Sequence, residues 1–186
     1  MRWDPARGHV PRGFFGAAAA LGDIELVLVV AEPGDPSERE ISYDLASTYK
    51  LVSQGFPSRF DQFHRNMLGI FNSCWPNLPY DKQLEKVWVT ESVLCSAAYT
   101  TGPVDSAVTK ECGIRYLSKQ LTLMPSALVV ALGSKAQHRL RLIGVHDFLP
   151  AFAIAPPGCN FAGAKKSWGR ISIELKRRRS VVVDQN

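Results

Sequence analysis

The chain has 186 residues, and 22 Lys and Arg against 17 Asp and Glu give it a formal charge of +5 at pH 7. Hydrophobic residues are 46% and charged residues 21% of the sequence, so one globular domain with a sizeable core is expected. This composition excludes a disordered or collagen-like chain, and four cysteines are too few for a disulfide scaffold. No apolar run is long enough to span a membrane and no signal peptide is recognisable, so a cytoplasmic protein is expected.

Four short runs of apolar and β-branched residues predict strands, and four helical patterns accompany them. The predicted strands are Ile24–Val30, Lys86–Glu91, Ala127–Leu132 and Ala151–Ala155. The predicted helices are Phe60–Phe71, Val104–Leu123 with an N-cap at Asp105 or Ser106, Lys135–Leu142 and Trp168–Arg179. Strands that alternate with helices over short connections are typical of a parallel sheet covered on both faces.

The loops that follow the predicted strands carry polar side chains. Glu32 follows the first strand and Glu91 ends the second, while a Gly- and Pro-rich turn after the fourth leads to Asn160, Lys165 and Lys166. Because ligands bind beyond the carboxyl ends of parallel strands, these loops predict a functional site, and the last loop could cradle a phosphate. Each feature also has a plainer interpretation, since acidic residues commonly cap turns and lysines are commonly solvated.

The order of these segments resembles the uracil-DNA glycosylase superfamily. Val30-Ala31-Glu32-Pro33-Gly34 is similar to the first active-site loop of that family, and residues 87–95 are similar to the strand whose end carries its uracil-reading Asn. A middle block follows in family order, with Glu111-Cys112, Tyr116-Leu117, Pro125, Ala127–Ala131 and Leu132-Gly133, and then a last loop at 155–160 and Trp168. The resemblance covers about residues 24–175 of a single domain over 1–186, with a basic tail at 176–186. It implies a three-layer α/β/α fold with a central four-stranded parallel sheet.

The resemblance implies a base-excision repair enzyme, which hydrolyses the N-glycosidic bond of uracil or a related deaminated or damaged base flipped out of DNA. Glu32 would place the attacking water and stabilise the cationic sugar, with Asp35 as the alternative, although either residue could only cap the turn. The catalytic His of the family falls on Ala155, which cannot donate a hydrogen bond from its side chain. Asn160, or the backbone N–H groups of residues 158–160, would then take over part of that role.

The uracil-reading Asn of the family falls on Glu91, which precedes Ser92 at the same strand end. An ionised Glu offers only hydrogen-bond acceptors, whereas Asn offers both a donor and an acceptor. Three alternatives stay open: a Glu91 carboxyl kept neutral by burial, recognition of a base with an exocyclic amine or an altered ring, or no contact with the base. Glu91 and Ser92 are therefore candidate base-binding residues.

Aromatic side chains that could stack on a flipped base lie between the first two predicted strands. Tyr43, Tyr49, Phe56 and Phe60 are the candidates, and the family order favours Phe56 or Phe60, although helical spacing also suits a core position. Phe161 could wedge into the base stack or pack on Trp168. The candidate DNA contacts are Ser134, Lys135, Pro156, Pro157, Gly158, Phe161, Lys165, Lys166 and Ser167, with the basic residues 176–179 as a further contribution.

Neither a metal nor another cofactor is expected. Cys95 and Cys112 resemble two of the four cluster ligands in some branches of the family, but no cysteine precedes Cys74 to supply the other pair. The expected partner is DNA, single- or double-stranded, bound by a monomer. Two rival interpretations stay open: a DNA-binding protein of the same fold with reduced catalysis, and an unrelated doubly wound protein that handles a nucleotide or a small acid. The lack of a glycine-rich phosphate loop disfavours the second rival.

Overall fold

The computed structural model describes residues 11–34, 45–94 and 103–183, which form an α/β fold on one five-stranded sheet. The strands are β1 (Phe15–Gly16), β2 (Leu26–Val30), β3 (Val87–Glu91), β4 (Leu128–Leu132) and β5 (Leu149–Ala151). Their order across the sheet is β1-β3-β2-β4-β5, and the last four strands in this order run parallel to one another.

The predicted α/β class is confirmed, but the prediction of a sheet with only four parallel strands is wrong. Strand β1 pairs antiparallel with β3, with Phe15 opposite Val89, so the sheet is mixed. A strand of two residues is too short to show the alternation that reveals strands in a sequence. Gly16, with a φ of +99°, allows the close pairing, because a Cβ there would lie 2.1 Å from the carbonyl oxygen of Val87.

The fourth predicted strand is displaced along the chain. It was expected at 151–155, but β5 spans Leu149–Ala151, and Pro150 is tolerated because β5 is an edge strand. After β5, the backbone hydrogen-bonds to side chains instead of to a neighbouring strand. The backbone N–H of Phe152 donates to Ser167 Oγ at 3.0 Å, and Asn66 Nδ2 donates to the carbonyl oxygen of Ile154 at 2.8 Å. Residues 153–155 therefore lie outside the strand.

The helices in the described parts of the chain are α1 (Leu45–Gly55), α2 (Gln62–Cys74), α3 (Tyr80–Leu84), α4 (Ser106–Cys112), α5 (Ser118–Thr122), α6 (Ser134–Leu142) and α7 (Ala164–Val183). A π-helical segment, Gly113–Leu117, joins α4 to α5, so the helix predicted over 104–123 is one helical stretch. Asp105 caps it by accepting from the backbone N–H of Ala107 at 2.8 Å. The sequence pattern does not predict α1 or α3, and α7 is longer than predicted. None of these helices is long and apolar enough to cross a membrane.

Helices pack on both faces of the sheet, because successive side chains of a strand alternate between its faces. Leu26 and Leu28 of β2 belong to one core cluster, together with residues of α2 and α7. Val27 and Val29 belong to the other cluster, together with residues of α6 and the segment before β4. Strand β2 is therefore buried on both faces, and the loop after it begins at the middle of the carboxyl edge of the sheet.

The register between β2 and β3 positions the site. Val30 at the end of β2 lies opposite Glu91 at the end of β3. The hydrogen bonding continues past both strands, since the N–H of Ser92 donates to the Val30 oxygen at 2.8 Å and that of Val93 donates to the Ala31 oxygen at 3.2 Å. Glu32 and Glu91 are therefore held at neighbouring strand tips by the backbone.

Candidate functional site

A cavity of about 380 Å³ lies at the carboxyl ends of β2, β3 and β4. This edge is where open parallel sheets bind ligands, and the volume is in the range of small-molecule sites. The charged and titratable side chains in its lining are Arg12, Glu32, Arg59, His64 and Glu91. Much of the remaining surface is apolar, with Phe15, Phe56, Phe63, Leu132 and Ile154 as the largest side chains.

Glu32 lies in the cavity wall between two cations of α6. Its side chain is only 4% exposed, and its two carboxylate oxygens form ion pairs with Lys135 and Arg139. Arg139 is itself buried, and its Nη1 also lies 2.8 Å from the carbonyl oxygen of Ala31 and 3.1 Å from Ser92 Oγ. Arg139 thus connects the tips of β2 and β3 to α6, and it fixes an ion-paired carboxylate in the wall.

Glu91 is a second carboxyl at the same edge, in the opposite kind of environment. It is buried, and its Oε2 has no hydrogen-bond partner among the described residues. Burial raises the pKa of Glu91 well above its usual value, the nearby charge of Glu32 raises it further, and Arg12 and Arg139 offset only part of the shift. The environment of Glu91 therefore favours the neutral carboxyl, which has a hydrogen-bond donor as well as acceptors.

Arg12 and Gly13 lie near Glu91 at the cavity. Gly13 has a φ of +81°, and a Cβ at this position would lie 2.5 Å from Glu91 Cγ and 3.0 Å from Pro33 Cγ. Next to it, Arg12 donates from its backbone N–H to the Leu94 oxygen at 3.0 Å and from Nη2 to the Gly34 oxygen. Neither Arg12 nor Gly13 is predicted from the sequence, because the short antiparallel strand that brings them here leaves no pattern.

One wall of the cavity is aromatic and contains His64, a residue that sequence reasoning missed. The His64 ring centroid lies 4.4 Å from that of Phe56 and 5.2 Å from that of Phe63. Asp61 caps α2 by accepting from the His64 N–H at 3.1 Å, and its Oδ2 lies 2.5 Å from Nδ1 of the same histidine. Partial burial raises the pKa of Asp61, but the hydrogen bonds and charge of His64 outweigh this, so the pKa of Asp61 lies below its usual value. The only signal in the sequence is the Asp-x-x-His spacing at the start of the helix.

Of the aromatic candidates for stacking on a base, Phe56 lies in the cavity wall. It also belongs to the core, where its ring centroid is 4.5 Å from that of Phe15. Phe60 is not part of the cavity lining and is 79% exposed, because α2 begins at Gln62 and Phe60 therefore lies ahead of the apolar face of that helix. Tyr49 donates its hydroxyl to the Gly16 oxygen. Tyr43 lies outside the described residues.

The last loop places its candidates at the mouth of the cavity rather than inside it. Asn160 is exposed, is not part of the lining, and accepts at Oδ1 from Gln62 Nε2 at 3.0 Å. Phe161 packs on Phe152, with ring centroids 5.9 Å apart, and not on Trp168. The catalytic role expected for Asn160 is therefore not matched by its position. Asp35, the alternative to Glu32, lies outside the described residues.

Three predicted binding residues are engaged within the protein. Lys135 pairs with Glu32, Ser92 donates to the Ala31 oxygen at 2.6 Å, and Ser167 accepts from the Phe152 N–H and donates to the Ala164 oxygen. The remaining predicted contacts are at least partly exposed: Ser134, Pro156, Pro157, Gly158, Lys165 and Lys166.

Metal-ligating side chains are dispersed in the described parts of the chain. Within residues 11–34, 45–94 and 103–183, no three His, Cys, Asp or Glu side chains are grouped as metal ligands would be. Cys74, Cys112 and Cys159 are buried thiols, and burial raises the pKa of Cys74 to about 11. These cysteines pack as small apolar side chains.

No known family model matches the chain, and no curated protein sequence matches it either. The likeness to uracil-DNA glycosylases is therefore carried by the residues quoted above, and the function has to be argued from the site itself.

Proposed function

We propose that the protein is a DNA glycosylase, which hydrolyses the N-glycosidic bond of uracil or a related deaminated base flipped into the cavity. The observation that carries this proposal is the pair of carboxyls at the cavity: Glu32 is ion-paired to two cations, and Glu91 is buried beside it with no partner for its Oε2 among the described residues. A carboxylate that stabilises a cation-like sugar, beside a group that reads the base, is the arrangement that cleavage of an N-glycosidic bond needs. Helices on both faces of the sheet also suit a three-layer α/β/α fold.

The neutral Glu91 carboxyl reads the base in this proposal. Uracil presents an acceptor at O4 and a donor at N3–H, and a protonated carboxyl offers the matching donor and acceptor, as an Asn amide does. An ionised Glu91 would oppose O4 with a negative charge. Of the three alternatives for this residue, the neutral carboxyl is the one that its buried environment supports best.

Glu32 stabilises the sugar in this proposal. When the C1′–N bond breaks, its electron pair leaves with the base, and the sugar becomes cation-like. A carboxylate in the cavity wall stabilises that cation, and the remaining lone pairs of Glu32 accept a hydrogen bond from the water that attacks. The water oxygen then bonds to C1′, and the proton that it loses balances the negative charge of the departed base.

His64 takes the position opposite the departing base. A donor there stabilises the developing negative charge, and Ala155 cannot supply one from its side chain. His64 lines the same cavity, and Asp61 at Nδ1 orients its ring and stabilises the imidazolium form. The protonated ring would donate to the base as it leaves, while Phe56 beside it stacks on the base.

A second candidate function is DNA binding with reduced catalysis. Two features favour it: Ala155 in the cavity lining, and the two cations that already engage both oxygens of Glu32. A protein of this kind binds DNA at the same surface but releases no base.

The test is alkali-induced cleavage of an end-labelled single-stranded oligonucleotide with one central uracil, after incubation with wild type or Glu32→Gln. We expect an alkali-sensitive site with wild type and a rate about 100-fold lower or more with Glu32→Gln. Glu174→Gln on α7 is the matched control and should keep the wild-type rate, because the partners of Glu174 among the described residues are Arg177 and Arg178 of its own helix. Thermal unfolding of each variant checks that the fold is retained.

Two other outcomes separate the candidates. If wild type cleaves neither the uracil substrate nor a panel with hypoxanthine, xanthine and oxidised bases, the glycosylase proposal is wrong. Binding of the same oligonucleotides without release of a base would favour the second candidate.

A further inference from the structure

Two phenylalanines near the cavity are among the most exposed apolar side chains in the described residues. Phe60, just before α2, is 79% exposed, and Phe161, just before α7, is 60% exposed. Phe161 has Phe152 as a neighbour, with ring centroids 5.9 Å apart, and Phe152 is itself 42% exposed. We call Phe60, Phe152 and Phe161 the aromatic rim. Large aromatic side chains exposed together indicate an interaction surface.

The two segments that carry the aromatic rim are tied to each other beside the cavity mouth. Gln62 Nε2 donates to Asn160 Oδ1 at 3.0 Å, which joins the start of α2 to the loop before α7. Arg59 and Phe63 line the cavity on the α2 side, and residues 153–155 line it on the other side. The aromatic rim therefore borders the cavity on both sides.

Cations accompany the aromatic rim. Arg59 lies in the cavity lining and is exposed, and Arg65 Nη1 donates to the Phe60 oxygen at 2.6 Å. Arg65 and Lys165 both line a second groove of about 280 Å³ between α2 and α7. Asp61, a carboxylate near these residues, contacts His64 Nδ1 with its Oδ2 at 2.5 Å. This side of the molecule therefore presents the positive charges of Arg65 and Lys165 near exposed rings.

We infer that the aromatic rim and its neighbouring cations bind single-stranded DNA, and that the protein acts on unpaired rather than duplex DNA. Exposed rings beside cations are the arrangement with which proteins bind single strands, because every base has a face that stacks on an aromatic ring. In a duplex those faces are covered by neighbouring base pairs, so the rim would have to displace them. This inference rests on the proposed function, because it names the substrate of that function. DNA binding by the rim can nevertheless be measured without any release of a base.

The experiment measures binding of a fluorescent single-stranded oligonucleotide without uracil, and of a hairpin duplex of the same sequence, by anisotropy. We expect the single strand to bind at least tenfold more tightly. Phe60→Ala and Phe161→Ala should each weaken single-strand binding between about fivefold and about a hundredfold, the range measured for loss of one stacked base. Ile173→Ala, at a 68% exposed position on α7 away from the rim, is the control and should leave binding within about twofold.

A salt titration tests the charges separately. Lys165→Ala should lower the slope of log affinity against log salt by about 0.7, the value for one lost phosphate contact to a single strand. Lys119→Ala, an exposed lysine on α5, should leave the slope unchanged. Equal or tighter binding of the duplex, or wild-type binding by the Phe60→Ala/Phe161→Ala double variant, would overturn the inference.

The two proposals fail in different ways. Tight single-strand binding without release of any base would contradict the glycosylase proposal and leave the rim intact as a binding surface. Release of uracil with equal rates from single-stranded and duplex DNA would support the glycosylase and contradict the rim.

Discussion

The inner end of the cavity and its rim are built in opposite ways. At the inner end, Glu32, Glu91 and Arg139 are buried, and the backbone and α6 fix their positions. At the rim, Phe60 and Phe161 are 79% and 60% exposed. Both regions lie within a few residues of the same carboxyl edge of the sheet.

This difference separates what each region can contribute. A buried charge has to be balanced by its immediate neighbours, so a change at the inner end affects folding as well as chemistry. An exposed ring is solvated in the free protein, so its loss changes binding and leaves the fold intact. The comparison predicts that variants at the inner end lose stability and that variants at the rim do not.

The largest effect is expected for Arg139→Met. It removes the cation that contacts Glu32, Ala31 and Ser92, and it leaves a buried carboxylate with one partner instead of two. We expect the free energy of unfolding, measured in urea, to fall by about 3–5 kcal/mol. Arg141→Met on the same helix is the control. Arg141 is exposed and lies 5.2 Å from the Phe148 ring centroid, so its replacement should lower the free energy of unfolding by about 1 kcal/mol or less. Equal losses of unfolding free energy in the two variants would contradict the special role of the buried Arg139.

A pair of glycines tests the close packing at the inner end of the cavity. Gly13 and Gly144 have φ values of +81° and +80°, but a Cβ meets Glu91 and Pro33 at Gly13 and nothing within 4 Å at Gly144. Gly144→Ala should therefore lower the free energy of unfolding by about 1–2 kcal/mol, because of the backbone conformation alone. Gly13→Ala should lose clearly more in the same urea titration, because the new methyl group also has to displace the Glu91 side chain. A Gly13→Ala variant no less stable than Gly144→Ala would contradict the close packing at the inner end.

Glu91→Gln tests the neutral carboxyl through pH. Because burial raises the Glu91 pKa in the folded state above its unfolded value near 4.5, the unfolded chain releases this proton first as the pH rises. Wild type should therefore lose stability from about pH 4.5 up to the folded pKa, and Glu91→Gln should lack that loss. The Glu174 carboxyl, which Glu174→Gln removes, contributes a pH dependence of stability with the opposite sign. The hydrogen bond from Arg177 lowers the Glu174 pKa to about 2, so that carboxylate stabilises the fold above its unfolded pKa and stops doing so on acidification. Parallel stability curves for wild type and Glu91→Gln would mean that Glu91 is ionised.

The smallest effect on stability is expected for Asp61→Asn. Asn is as good a helix cap as Asp, so the free energy of unfolding should change by about 0.5 kcal/mol or less. The Asp61 carboxylate at His64 Nδ1 favours the protonated ring, and the substitution removes this negative charge. If protonated His64 assists the departing base, the pH above which base release declines should move to a lower value. An unchanged pH profile would remove His64 from the mechanism.

The inner strands and their tips could be predicted from the sequence. Strands β2 and β4 are continuous apolar runs, β3 begins with three apolar residues, and the parallel order predicts that Glu32 and Glu91 lie at one edge. The positions of Phe60 and Asn160 could not be predicted, because they depend on where α2 begins and on how the chain leaves β5. A shift of two residues at either place moves a side chain from the cavity to its rim.

The residues that complete the cavity were hidden for a different reason. Arg139 lies in a short basic helix, and nothing in that helix distinguishes a buried arginine from a solvated one. Arg12 and Gly13 reach Glu91 only because a strand of two residues pairs with β3. His64 lies in the first turn of α2, where it interrupts the apolar pattern. Each of these placements depends on tertiary contacts, which leave little periodic signal in the sequence.

The most direct measurement is a steady-state comparison of Glu32→Gln and the Phe60→Ala/Phe161→Ala double variant on single-stranded DNA with one uracil. Glu32→Gln should lower kcat by about 100-fold with little change in KM, because Glu32 acts on the reacting sugar. The double variant should raise KM at least fivefold with little change in kcat, because the rings only hold the strand. A double variant that lowers kcat, or a Glu32→Gln variant that changes only KM, would contradict the division between a reactive inner end and a binding rim.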